Sequence, residues 1–210
     1  LLVILQIQTL YSLFFQGFAL ANKSKSIIIA GGGHAGVEAA LSISRMGQKA
    51  IIVTIDPQAI GRMSCNPAIG GLAKGHIVKE IDALGGIMGL AADFAGLQFK
   101  MLNKSKGRAV WSPRAQVDKL AYTRFVQQKV LSDQNITIIP GEVVDFNVHN
   151  MSVSSVVLKS GQQLNCSSLI ITAGTFLNGL IHVGDRQFRA GRMGEKPSIG
   201  LSESLLKKGF

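Results

Sequence analysis

From Ser26 onward the apolar and polar positions read as strands alternating with helices. Ile27-Ile28-Ile29-Ala30 is a short continuous apolar run, the pattern of a strand buried on both faces, and it passes directly into Gly31-Gly32-Gly33-His34-Ala35-Gly36. A helix follows, with Val37, Ala40, Leu41, Ile43 and Ser44 on a face of small residues and Gly47 marking its end. Ala50-Ile51-Ile52-Val53-Thr54 is a second buried strand, so the chain opens as a βαβ-type unit. Residues 57–75 are rich in Gly and Pro and lack periodicity, which predicts a long functional loop, with a helix over about residues 76–84. Residues 114–132 carry a helical pattern, with Val117, Leu120, Ala121, Phe125, Val126 and Val130 on one side and Arg124, Gln127, Gln128 and Lys129 on the other. Ile136-Thr137-Ile138-Ile139 then reads as another parallel strand, residues 143–148 and 153–158 alternate like a meander, and Leu169-Ile170-Ile171-Thr172 is buried again. Residues 199–208 predict a helix opened by Ser198.

The G-x-G-x-x-G run gains meaning from its place between a buried strand and an amphipathic helix. Gly31 permits a tight turn, Gly33 lets backbone approach a pyrophosphate, and Gly36 allows close packing of helix on strand, while the helix N-terminus offers N–H groups to phosphate. Glu38 near the start of that helix is accounted for by the helix dipole. The acidic ligand for ribose is left open between Asp56 and Thr54, and Pro57 also explains Asp56 as a turn former. Ala173-Gly174-Thr175 after the last parallel strand supplies small residues where such sheets bind ligands. The predicted fold is therefore α/β, a Rossmann-type parallel sheet with an inserted β-meander and a helical and loop insertion, closer to glutathione-reductase-like FAD proteins than to simple NAD dehydrogenases.

Composition narrows the partners. Twenty-two Lys and Arg against 12 Asp and Glu give a net charge of +10, which favours polyanions such as nucleic acid or an anionic membrane without choosing between them. The two cysteines, Cys65 and Cys166, have no close pairing and no metal-ligand spacing, so neither a disulfide framework nor a metal site is indicated, and a reducing, cytoplasmic compartment fits. Residues 1–25 form an apolar leader, uncharged through residue 22. Gln6, Gln8, Thr9, Ser12, Gln16 and Gly17 dilute it as a membrane span, and a secretory signal would need a basic start, so the leader is read first as an extension outside the fold, with a targeting or anchoring segment as the alternative. The domain is expected to occupy residues 26–210 and to continue beyond them, with a basic insertion at about 57–130.

Three runs carry a specific resemblance. Gly31-Gly32-Gly33-His34-Ala35-Gly36-Val37-Glu38-Ala39-Ala40, Met63-Ser64-Cys65-Asn66-Pro67-Ala68-Ile69-Gly70-Gly71 with Lys74-Gly75, and Ser105-Lys106-Gly107 through Pro113-Arg114-Ala115-Gln116 with Asp118 resemble the MnmG (GidA) family over about residues 27–210. Arg108 stands where the family pattern has Pro, and the leader has no counterpart. The resemblance implies FAD held by Gly31, Gly32, Gly33, His34, Ala35 and Gly36, with further contacts from Val143 at a strand end and Ser198 at a helix cap. It also implies installation of an aminomethyl or carboxymethylaminomethyl group at carbon 5 of the tRNA wobble uridine. NADH is the implied reductant, methylene-tetrahydrofolate the carbon donor, and the GTPase MnmE the partner, with a homodimer joining MnmE in a heterotetramer away from any membrane. Cys65 is the candidate catalytic thiol, a nucleophile for carbon 6 of uracil, or alternatively a small structural residue beside the flavin. Cys166 reads as structural.

Between Gly70 and Lys129 ten basic residues face four acidic ones, a local net of +6. Lys104, Lys106, Arg108 and Arg114 flank the sole tryptophan, Trp111, and are the candidate tRNA contacts, with the indole as a stacking platform. Two rivals stand beside this reading: a generic FAD-dependent oxidoreductase of a small metabolite, and a non-catalytic RNA-binding fragment, since the chain by itself is expected to lack activity.

Overall fold

The computed structural model describes residues 26–63, 66–191, 194, 195 and 197–210; the leader and Cys65 lie outside the described residues. In chain order the elements are β1 (Ile27–Ala30), α1 (His34–Arg45), β2 (Ala50–Thr54), β3 (Ala68–Gly70), α2 (Lys74–Ala83), α3 (Met88–Phe94), β4 (Gly96–Leu102), β5 (Ser112–Val117), α4 (Lys119–Leu131) and β6 (Ile136–Pro140). There follow β7 (Val143–His149), β8 (Ser152–Leu158), β9 (Gln163–Asn165), β10 (Ser168–Ile171), β11 (Leu180–Val183), β12 (Arg186–Arg189) and α5 (Leu201–Lys207).

A parallel sheet in the order β10-β1-β2-β6 forms the centre, with Ile29 level with Ile52 and Ile170. The continuous apolar runs have a direct cause, because alternate side chains enter different cores. Ile29 and Ile52 pack with Val37 and Ala40 of α1 and Val126 and Val130 of α4, whereas Ile28, Ala30 and Val53 pack with Phe146, Val156 and Leu158 of the meander and Leu201 of α5. A sheet covered on both faces leaves its strand ends as the place for a ligand. The meander is the antiparallel sheet β7-β8-β9, and the insertion is a second antiparallel sheet, β3-β5-β4, carried with α2 and α3. This is the Rossmann-type α/β architecture expected from the sequence. No helix among the described residues is long and apolar enough to cross a membrane.

Three local expectations are corrected. Residues 114–117, expected to open a helix, are the end of strand β5: Arg114 and Gln116 are exposed while Ala115 and Val117 are buried, a period of two imposed by pairing with β3 and β4. The helix begins one residue past Asp118, whose carboxylate accepts from the Leu120 and Ala121 N–H groups at 2.8 Å. Its buried face is Tyr122, Val126 and Val130, and Leu120 points to solvent. The loop expected over residues 57–75 contains a 3-10 turn at Pro57–Ala59 and the strand β3. Finally, α5 is opened by Gly200 at φ 111°, so Ser198 lies two residues before the cap.

Candidate functional site

Where β1 ends, the glycines take distinct roles. Gly31 has φ 117° and donates to Val53 O at 2.9 Å; a Cβ there would lie 2.6 Å from Thr172 O at the end of β10. Thr172 Oγ1 secures that contact, 3.1 Å from Ala30 O and 3.0 Å from Gly31 O. Gly36 faces Gly31 O so closely that any side chain would collide with backbone. Gly33 differs from both. Its φ of −71° is open to every residue, and a Cβ would meet no heavy atom within 4 Å among the described residues. The glycine at this position thus faces empty space at the uncapped N-terminus of α1, where N–H groups stand ready for an anion.

Behind the turn, the half-buried His34 ring lies 5.6 Å from the ring of Tyr122, which is fully buried. The Tyr122 hydroxyl has no hydrogen-bond partner among the described residues, and burial, then the charge of Glu38, push its ionisation upward, so it stays a neutral phenol. Glu38 serves a different helix from the one it was read on. Its carboxylate accepts from Ile87 N–H at 2.9 and 3.1 Å and from Met88 N–H at 2.8 Å, capping α3. Sequence offered no sign of this, since its partner amides lie 49 and 50 residues away. Ala35 is exposed beside the opening.

The other strand ends complete a crevice. At the end of β2, Asp56 accepts from Gln58 N–H at 2.9 Å and lies 4.0 Å from Arg62, so it forms the turn that Pro57 foretold, and Thr54 stands against Gly32. Beyond β6, Val143 is buried as the first residue of β7. Ser198 is buried too, its N–H bonded to Phe176 O at 2.8 Å and its carbonyl accepting from Asn178 N–H at 2.9 Å. Glu142, assigned no role from the sequence, joins these two positions: Ile199 N–H donates to its Oε1 at 2.9 Å and Lys159 Nζ to its Oε2 at 2.8 Å. Burial works to raise the Glu142 carboxyl, but hydrogen bonds from Lys159, Ile199 and Ser198 outweigh it and hold the group below the ordinary value. Arg62 Nη2 meets Glu195 Oε1 at 2.5 Å, tying the loop before β3 to the segment after β12.

Basic residues gather at the tip of the β4–β5 hairpin. Lys104, Lys106 and Arg108 are exposed on two 3-10 turns, Lys104–Lys106 and Arg108–Val110. Trp111 is fixed among them, its Nε1 donating to Lys104 O at 3.2 Å and the Arg108 guanidinium 5.8 Å from its ring centre. Arg114 stands further back on β5, opposite Lys100 of β4. None of these cations makes an ion pair with a carboxylate among the described residues. Lys74, at the start of α2, donates to Ala68 O at 3.1 Å; burial, then repulsion from Arg114, lowers its pKa.

The crevice therefore has the parts to hold an extended dinucleotide: backbone N–H groups at an open glycine, four strand ends in line, and buried polar and apolar contacts at Ser198 and Val143. The chain is similar to known proteins over most of its length. The chain is 48% identical over 184 residues to the tRNA uridine 5-carboxymethylaminomethyl modification enzyme MnmG of Protochlamydia amoebophila, covering 88% of this chain and 29% of that protein. It is 52% identical over 184 residues to the MnmG of Campylobacter hominis, with the same coverage of each. The crystal structure of Aquifex aeolicus GidA superposes with a TM-score of 0.83 at 48% identity, over 89% of this chain and 31% of that one. The chain thus spans about three tenths of the length of these relatives. Matched from residue 26 to residue 210 by the model of the family described as glucose inhibited division protein A, the chain belongs to that family.

Proposed function

We propose that this chain is the FAD-binding part of an enzyme that modifies the wobble uridine of tRNA at carbon 5. The observation that carries the flavin reading is Gly33, a glycine required neither by its backbone angle nor by any neighbour among the described residues, at the N-terminus of a helix. An external group accounts for it, and a pyrophosphate is the group that such a turn accepts. In this reading residues 31–36 hold the pyrophosphate, and Val143 and Ser198 contact the adenosine end. FAD, when bound, supplies hydride chemistry.

The chain's own residues then orient the cofactor, exclude water and receive the RNA. Lys104, Lys106, Arg108 and Arg114 meet phosphates, which their lack of acidic partners favours. Cys65 adds as thiolate to carbon 6 of uracil and so activates carbon 5, or else packs beside the flavin. NADH, methylene-tetrahydrofolate, the GTPase MnmE and a homodimer complete the proposed system, with residues 26–210 as an FAD-binding domain that continues into the rest of the polypeptide. The names and close identity of the relatives support tRNA as substrate over a small metabolite.

The test compares protein carrying Gly33→Val with wild type for flavin content, far-ultraviolet circular dichroism and tRNA affinity. The variant is expected to fold and to bind tRNA as before but to purify without flavin, because the added methyls fill the space of the pyrophosphate. A full complement of flavin in the variant, or none in the wild type, overturns the assignment.

A further inference from the structure

The chain leaves β10 at one edge of the parallel sheet and returns beside β6 at the opposite edge. Between them runs a connecting strap whose described residues from Thr172 to Ile199 include the hairpin of β11 and β12. Its near end is fastened by Thr172 to Ala30 and Gly31. Its middle is fastened to itself: Phe176 O accepts from Ser198 N–H, and Ser198 O from Asn178 N–H. Toward its far end Glu195 pairs with Arg62, and at that end Ile199 N–H is held by the Glu142 carboxylate. Glu142 sits in the two-residue link between β6 and β7, with only 11% of its side chain exposed. A carboxylate so enclosed needs donors, and Lys159 Nζ and Ile199 N–H provide them. Lys159 is itself aligned by its N–H, which donates to Glu142 O at 2.8 Å.

We infer that Glu142 is a positioning residue of the cofactor site, holding the far end of this strap against the start of β7 so that Ser198 and Val143 face one ligand together. The inference rests on the flavin reading above. Its physical content is preorganisation: Ser198 and Val143 are 55 residues apart, and the carboxylate ties the backbone next to Ser198 to the link that enters β7 before any ligand arrives. Gly200 supports the same placement, since a Cβ there would lie 3.3 Å from Val144 Cβ. Sequence could not reveal the device, because a Glu following Pro140-Gly141 looks like any solvated turn residue.

The experiment measures the FAD dissociation constant, by quenching of flavin fluorescence in apoprotein, for wild type, Glu142→Ala, Glu142→Gln, Ser198→Ala and the double variant Glu142→Ala/Ser198→Ala. Thermal stability of each apoprotein is recorded beside it. Glu142→Ala is expected to weaken FAD binding about tenfold, and Glu142→Gln, which can still accept from Ile199, to recover much of that loss. The two alanine substitutions should be strongly non-additive in FAD affinity, because one acts through the other. Additive effects, or a Glu142→Ala protein with lowered stability and unchanged FAD affinity, overturn the inference. Should Glu142→Ala fail to fold, Glu142→Gln decides by the same comparison: FAD affinity equal to wild type in both Glu142→Gln and Glu142→Gln/Ser198→Ala overturns the inference. Failure of the flavin reading is separable, since it would appear as no FAD binding by wild type.

Discussion

Gly33 at the cap of α1 and Gly36 in its first turn respond to opposite demands, one from outside the protein and one from inside it. At Gly36 a methyl group would strike Gly31 O, a backbone atom that cannot turn aside. Gly36→Ala should therefore destabilise the protein by roughly 1–3 kcal/mol, the range for overpacking, and lower its thermal midpoint even without cofactor. Gly33→Ala should leave the apoprotein's midpoint unchanged, because nothing among the described residues lies within 4 Å. Melting curves of the two apo variants check both halves, and equal losses would dismiss the distinction. Glu38 makes a related point. A residue whose dipole argument suited α1 in fact satisfies the Ile87 and Met88 amides at the start of α3, where leaving them unpaired in a partly buried place is costly.

At the level of elements, α5 is held to β7 by polar contacts as well as by Leu201. Asp145 accepts from Lys208 Nζ at 2.6 Å and from the Ser204 hydroxyl, and Lys208 also lies 4.7 Å from the centre of the Phe146 ring. The hydrogen bonds from Lys208 and Ser204 hold the Asp145 carboxyl at about 2, below its ordinary 3.8. Because the folded value is depressed, its stabilisation is fully present above about 3.8 and is lost as pH falls toward 2. The carboxylate is half exposed and screened by salt, so its contribution is below about 1 kcal/mol. In urea unfolding, Asp145→Asn should be less stable than wild type by a constant small margin from pH 5 to pH 7, and the margin should close between about pH 4 and pH 2. A margin that persists below pH 2 would point to lost packing instead of lost charge. The same polar fastening explains why the helix starts at Leu201. Ile199 N–H is held by Glu142 and the Ser198 backbone by Phe176 and Asn178, leaving Gly200 with φ 111° to make the turn.

Across the whole molecule, charge is segregated: the hairpin tip carries Lys104, Lys106 and Arg108 without carboxylate partners among the described residues, and the chain as a whole is at +10. If these cations meet phosphates, tRNA affinity should fall steeply with salt, and the double substitution Arg108→Ala/Arg114→Ala should reduce the slope of log affinity against log salt by about one per arginine. An unchanged slope in a filter-binding titration would place the RNA elsewhere. Trp111 needs a more restricted role than an open platform, since Arg108 already stands over its ring and its N–H holds Lys104 O.

The sequence by itself determined the parallel sheet, the glycine turn, the meander and the family. These rest on local periodicity and on contiguous runs, and a strand buried on both faces leaves its mark in every residue it contains. It also placed Cys166 correctly, buried in the core beneath the meander. What it could not determine were the relations across distance. Residues 114–117 became strand because β3 and β4 pair with them, against a pattern that suited a helix. Tyr122 took the buried place assigned to Leu120 because the strand sets where α4 begins. Glu38 and Glu142 acquired their partners 49 and 57 residues away. A carboxylate's energy depends on which donors surround it, and only the tertiary structure brings those donors near.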